Sequence, residues 1–135
     1  MIIADTNLVA YLLIDGERTS QARRAWERDP GWIVPPLWRS EYLSVLVTSV
    51  SARVLTEDQA AVGWQRGVTL MRGREREPTG SDVLHTAIRR GLSAYDAQFV
   101  VLAETLAALL VTSDRKILKA CPDVAVSLEA FAAGR

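Results

Sequence analysis

"MIIADTNLVAYLL", residues Met1 to Leu13, is an apolar run broken once, at Asp5-Thr6-Asn7, and resumed without a gap. Met1 to Ala4 is short, apolar and ended by turn formers, so it reads as a buried strand. Leu8 to Ile14 has helical length and stops at Asp15-Gly16. A carboxylate, a hydroxyl and an amide in consecutive positions suit a turn, and they suit a metal or phosphate site equally well. The rest of the chain decides between the two.

Working outward, Thr19 to Asp29 reads as a polar helix carrying Ala22, Ala25 and Trp26, broken by Pro30-Gly31. Trp32 to Val34 is a second short strand, closed by Pro35-Pro36. Leu37 to Arg53 is a long helix with a wide apolar stripe. Thr56 to Met71 is another, opened by Thr56 with Gln59 three residues on, a capping box. Arg72 to Thr79 is polar, a loop or a short exposed strand. Ser81 to Arg90 is helical and ends at Gly91. Ala94 to Ala107 follows, with Ser93 as its cap. Leu109 to Thr112 is the third clear strand, Asp114 to Ala120 a short helix, and Val124 to Val126 a last strand. Strands alternating with helices imply an α/β fold, a parallel sheet with helices on both faces. No linker, repeat or low-complexity segment divides the 135 residues, so one domain spanning 1–135 is expected.

Composition narrows the function. Lys+Arg and Asp+Glu balance at 16 each, so no global field draws the protein to nucleic acid or membrane, and an anionic substrate must be met locally. One cysteine, Cys121, excludes an internal disulfide and suits a reducing cytoplasm. No apolar run approaches the ~20 residues that a membrane span requires.

In a parallel sheet, ligands bind beyond the carboxyl ends of the strands. Asp5 ends the first strand and Asp114 follows the third, so two acids far apart in sequence converge on one sheet edge. Each also has a bland reading, Asp5 as an Asx-turn or helix cap and Asp114 as an N-cap. Glu41 shares its helix face with Leu37 and Val45, and a glutamate on an apolar stripe is costly unless something positive meets it. Arg39 points about 160° away around the helix and cannot serve. Asp96 lies three residues after Ser93, where a variant capping box explains it, yet Phe99, Val100 and Ala103 turn the same face toward the core. The other acids look like helix-start or solvated residues. Glu104, two turns beyond Asp96, could reach a site edge. His85 stands alone, Cys121 reads as packing, and the four tryptophans read mostly as core, with Trp38 able to line a cleft near Glu41.

Several ionised carboxylates at one edge repel each other unless a cation joins them. A hard divalent ion, Mg²⁺ or Mn²⁺, takes carboxylate and water oxygens, and no His or Cys cluster suggests zinc. Such ions activate water against a phosphodiester. No Ser-His-Asp set, GxxxxGK[ST] loop or GxGxxG fingerprint competes.

The segments "IIADTNLVAYLL", "PPLWRSEYLSVL", "LSAYDAQFVVLAE" and "LLVTSDRKIL" resemble the signature blocks of PIN-domain proteins, in particular VapC-type toxins. The order Asp, Glu, Asp, Asp and the context of each acid carry the resemblance. It implies a Rossmann-like α/β/α sandwich and Mg²⁺- or Mn²⁺-dependent endonucleolytic cleavage of RNA. The metal-site acids it implies are Asp5, Glu41, Asp96 and Asp114, with Asn7 and Thr112 or Ser113 as polar support. Thr6 and Asn7 would shape the strand-to-helix turn. It also implies a homodimer and a cognate antitoxin that neutralises the toxin. "REREPTGSD" is more charged than the short strand usual at that point of the family, which puts a strand there in doubt.

Three other readings remain in the residues. A phosphoacceptor receiver domain needs paired acids after the first strand, where only Asp5 stands. A haloacid-dehalogenase phosphatase needs an Asp where Asn7 is. A regulatory module whose acids dock an arginine-rich partner differs from a nuclease in lacking Mg²⁺-dependent cleavage.

Overall fold

The computed structural model describes residues 1–135. Its sheet is made of β1 (Ile2–Ala4), β2 (Trp32–Ile33), β3 (Leu110–Thr112) and β4 (Ala125–Ser127), in the order β2-β1-β3-β4 and parallel throughout. The chain runs outward from β1 to β2 and then crosses back to lay β3 on the other side of β1. A crevice opens beyond the strand ends at such a reversal.

Side chains alternate across the sheet, as the two-residue strand period requires. Ile2, Ala4, Trp32, Val34 and Val111 enter one core; Ile3, Ile33 and Leu110 enter the other. The first core is covered by α1 (Thr6–Leu13), α2 (Thr19–Arg28), α3 (Trp38–Ser51), α4 (Glu57–Met71) and a C-terminal α8 (Leu128–Ala132). The second lies under α5 (Gly80–Arg90), α6 (Ala94–Leu106) and α7 (Arg115–Ala120). Because both faces are covered, β1 and β2 are apolar throughout, and β3 and β4 are apolar up to their last residues, Thr112 and Ser127. This is the α/β/α sandwich expected from the strand–helix alternation. No helix is long and apolar enough to cross a membrane.

The capping box at Thr56 and Gln59 is formed in both directions, and Ser93 caps α6. Four details depart from the sequence reading. Helix α1 begins at Thr6, two residues early, because Asp5 keeps an extended backbone and its carbonyl accepts the Leu8 N–H at 2.9 Å. Helix α3 stops at Ser51, since Arg53 takes a left-handed φ of 60°. The charged stretch after α4 meets the sheet through one parallel bridge, Val34 to Glu75. There Val34 N–H donates to Arg74 C=O at 3.1 Å and Arg76 N–H to Val34 C=O at 3.0 Å. Finally, α8 was not anticipated. Ser127 starts it by accepting the Ala130 N–H at 3.1 Å, and Leu128 and Phe131 bury themselves beside α2. Arg28 fastens it, donating to the Phe131 carbonyl at 2.7 Å and lying 4.3 Å from the centre of its ring.

Helices α3 and α4 approach closely because α4 presents Gly63 and Gly67 on one face. The Tyr42 hydroxyl donates to the Gly63 carbonyl at 2.8 Å, and its ring packs on Gly67. Trp38, nearly fully buried, stacks on Trp64 with ring centres 6.1 Å apart. It belongs to this core and not to a cleft beside Glu41.

Candidate metal centre at the sheet edge

Asp5, Glu41, Asp96 and Asp114 line one cavity of about 540 Å³ at the carboxyl ends of β1 and β3. Asp5 stands where β1 turns into α1. Its backbone occupies the N-cap position, but its side chain makes no capping bond, so the carboxylate is free for other partners. Thr112, with no exposed surface, donates its hydroxyl proton to Asp5 Oδ2, and its oxygen accepts the Asp114 N–H at 3.0 Å. One buried hydroxyl thereby ties the end of β1 to the loop that carries Asp114.

Asp114 caps α7 as well as facing the cavity. Its Oδ1 accepts the N–H groups of Lys116 at 2.8 Å and Ile117 at 3.3 Å, while Oδ2 has no protein partner. The capping and the site readings are compatible, one oxygen for each. At Asp96 the cap runs through the backbone. Asp96 N–H donates to Ser93 Oγ at 3.1 Å, and the carboxylate makes no reciprocal bond to the Ser93 backbone. Glu41 lies in the first turn of α3, where Thr6 donates to its Oε1 at 2.7 Å. Thr6 thus holds a site carboxylate in addition to opening α1. Asn7 lines the cavity; Ser113 does not, and instead bonds the Tyr11 hydroxyl at 3.0 Å.

Electrostatically the acids are under strain from burial and from each other. Burial pushes the Asp5 carboxyl upward, the nearby Asp114 and Asp96 charges add to this, and the Thr112 hydrogen bond opposes it. Glu41 is raised by burial and by Asp5 and Asp96, against the pull of the Thr6 hydroxyl. Asp96 is raised by burial and by Asp114, with Lys116 and Ser93 pulling the other way. None of the four forms an ion pair with an arginine or lysine. Arg39 pairs with Glu75 at the sheet margin, and Glu104 pairs with Arg89 and Arg90, away from the cavity.

This donor set is all oxygen, which suits a hard divalent cation and disfavours zinc. No three of these side chains, nor any other His, Cys, Asp or Glu group, converge into a preformed cage. Mg²⁺ does not need one, since it keeps several waters and binds through one or two carboxylates with substrate phosphate oxygens. The residues therefore fit such an ion. Two apolar clefts, of about 630 Å³ along α4 beside Leu13 and about 430 Å³ between α3 and α4, hold no comparable set of acids.

Three lining residues were not singled out in the sequence. Ser40 and Ser44 are four residues apart on one face of α3, and Glu41 lies three residues before Ser44, so the three border the same cavity. Tyr95, beside Asp96, was legible only as a neighbour of a candidate acid.

The molecule is similar in fold to the crystal structure of PAE2754 from Pyrobaculum aerophilum, with a TM-score of 0.74 and 23% identity, covering 98% of this chain and 93% of that one. Ribonuclease VapC3 of the same organism is 27% identical over 125 residues, 90% of this chain and 95% of that protein. Exonuclease VapC9, again of Pyrobaculum aerophilum, is 43% identical over 42 residues, 31% of this chain and 32% of its own length. The sequence pattern of the PIN domain matches residues 2–121, nearly the whole length, and the chain belongs to the PIN domain family.

Proposed function

We propose that this protein is a Mg²⁺- or Mn²⁺-dependent endoribonuclease and the toxin of a toxin–antitoxin pair. The observation that carries the reading is a cavity at the sheet reversal holding four carboxylates and no paired cation. The similarity to proteins named Ribonuclease VapC3 and Exonuclease VapC9 supports a nuclease over a receiver or a phosphatase.

Asp5, Glu41, Asp96 and Asp114 would hold the ion, directly or through water. When bound, it supplies charge stabilisation at the phosphate and lowers the pKa of a water molecule. The protein's own contribution is orientation. Thr112 fixes the Asp5 carboxylate and the Asp114 backbone together, Thr6 fixes the Glu41 carboxylate and Ser93 the Asp96 backbone, so each of the four acids is held by a hydroxyl, two at the carboxylate and two at the backbone. In the reaction a water oxygen adds to phosphorus, the bridging P–O bond breaks, and the leaving oxygen takes a proton.

The deciding experiment offers linear and circular single-stranded RNA with Mg²⁺ or Mn²⁺, with EDTA, and with the Asp5→Asn variant. Cleavage of the circle only with the metal and only by the parent chain is expected. Cleavage of linear RNA alone would replace endonuclease by exonuclease. Undiminished cutting in EDTA or by Asp5→Asn would overturn the site. A homodimer is the expected state, and the apolar cleft between α3 and α4, edged by the exposed Leu43 and Val47, supports self-association.

A further inference from the structure

Tyr95 is 63% exposed, yet it lines the acid cavity beside Asp96. Its backbone belongs to the first turn of α6, which the Ser93 cap holds in place. An aromatic ring in water at the mouth of an anionic cavity raises the question of what covers it.

The electrostatics restrict the answer. Four carboxylates repel RNA phosphates, and a chain with zero net charge offers no long-range attraction to offset this. One divalent ion would offset only two of the four charges, so holding RNA at the cavity also calls for contacts that do not depend on charge, or for cations at the rim. Tyr95 supplies the first, because every base has a π-face that stacks on an aromatic ring. Lys116 supplies the second. Its backbone N–H donates to Asp114 Oδ1 at 2.8 Å, which sets the residue at the rim, and its exposed ammonium has no carboxylate partner. Ser40 and Ser44 add hydroxyls on the cavity wall with no side-chain bond inside the protein, available to sugar or phosphate oxygens.

We propose that Tyr95 is a base-stacking platform for an unpaired nucleotide flanking the scissile phosphate, with Lys116 pairing an adjacent phosphate. In an A-form duplex the π-faces are already stacked on neighbouring bases and cannot reach Tyr95. This inference rests on the nuclease reading and adds to it two contact residues. A partner protein covering Tyr95 is the competing account, and the test includes it.

The probe is a short single-stranded RNA carrying 2-aminopurine, whose fluorescence is quenched on stacking, mixed with the full chain in Ca²⁺ and checked for intactness on a gel. Titration follows quenching and anisotropy together. Tyr95→Ala should abolish the quench and weaken binding about tenfold, within the range for loss of one stacked base. Tyr95→Phe should keep both. An RNA abasic at the stacked position should bind parent and Tyr95→Ala equally, and duplex RNA should bind the parent more weakly than the single strand. Parent-like quench and affinity in Tyr95→Ala would overturn the proposal, as would a loss that persists on the abasic RNA. An unchanged RNA titration with altered oligomeric mass in light scattering would overturn it in favour of a protein contact. If Tyr95→Ala behaves as the parent while the parent cuts RNA, only this inference falls; if the parent neither binds nor cuts RNA, both fall.

Discussion

Asp96 joins the α6 cap through its backbone N–H, donated to Ser93 Oγ at 3.1 Å, and keeps its carboxylate at the cavity. The two roles therefore separate on substitution. Asp96→Asn keeps the cap and removes one like charge from a repelling cluster, so the metal-free protein should melt at an equal or higher temperature. Stabilisation by added Mg²⁺ should shrink, because ligand linkage follows affinity for the folded state. RNA cleavage should fall by at least about 10- to 100-fold, the loss seen when even an outer partner of a metal ligand is removed. If Asp96→Asn and Asp96→Ala both cut RNA like the parent at saturating Mg²⁺, Asp96 is a helix-start residue only. A carboxylate elsewhere behaves oppositely with pH. The Arg90 fork donates to Asp123 at 2.8 and 2.9 Å and holds its carboxyl down from 3.8 to about 2. A depressed carboxyl contributes stability above its unfolded value, and that contribution is lost as pH falls through the folded one. The Asp123→Asn variant should therefore lose less stability than the parent between pH 3.8 and about 2, read from urea midpoints. Equal acid limbs would show that this exposed pair contributes nothing measurable, as many surface pairs do. Asp5, Glu41 and Asp96, raised by burial, have the other sign and disfavour the metal-free fold as pH rises past the ordinary carboxylate range.

At the scale of elements, the α3–α4 pair depends on the absence of a side chain. A Cβ at Gly67 would stand 2.6 Å from Tyr42 Cε2, a contact no packed atom tolerates, whereas at Gly63 it would stand 3.3 Å from the mobile end of Leu46. Alanine is preferred over glycine in a helix by about 1 kcal/mol. Overpacking costs about 1–3 kcal/mol, so Gly67→Ala should come out destabilised by up to about 2 kcal/mol. Gly63→Ala should be near neutral or stabilising, since Leu46 can yield. Thermal unfolding of the two variants checks the pair, and equal melting temperatures would show that Tyr42 moves freely. Such movement has a consequence for the site, because Tyr42 follows Glu41 on the same helix. A Gly67→Ala protein that folds should bind Mg²⁺ more weakly even though the change is made on α4.

For the whole molecule, zero net charge makes a quantitative statement about RNA binding. If Lys116 and the neighbouring exposed Arg115 make the phosphate contacts, about two counterions are released. On single strands this corresponds to a slope of about −1.4 in log affinity against log salt, or about a sevenfold loss between 50 and 200 mM. Anisotropy titrations over that range measure it. A slope beyond about −3 would mean that RNA binds on a broader basic surface, away from the cavity rim. The same balance bears on inhibition. An antitoxin would gain most by bringing arginine or lysine into the acids, where charge-assisted hydrogen bonds are strong. A copurifying partner that leaves Asp5, Glu41, Asp96 and Asp114 open to solvent would sink this form of neutralisation.

Local pattern was sufficient for the strand–helix alternation, for the caps at Thr56 and Ser93, and for the choice of Asp5, Glu41, Asp96 and Asp114 as acids worth following. Strand and helix periods, turn residues and caps act over a few neighbouring residues, so they can be read in one chain without its fold. The short α8 lacked such a reading because its two anchors, Leu128 and Phe131, acquire meaning only against α2 and the sheet. The stretch around Glu75 likewise resolves into a single bridge only when Val34 lies beside it. A parallel sheet already brings Asp5 and Asp114 to one edge, but the addition of Glu41 and Asp96 and the hydroxyls behind the acids belong to tertiary structure. Thr112 lies 107 residues from Asp5, and it reaches that carboxylate because β3 pairs with β1 rather than with β2. Thr6 meets Glu41 across 35 residues only because α1 and α3 pack on the same face of the sheet. Hydroxyls that hold acids, and the exposed ring of Tyr95 at their rim, carry no periodicity of their own. Strand order creates the crevice that gives them a place to act.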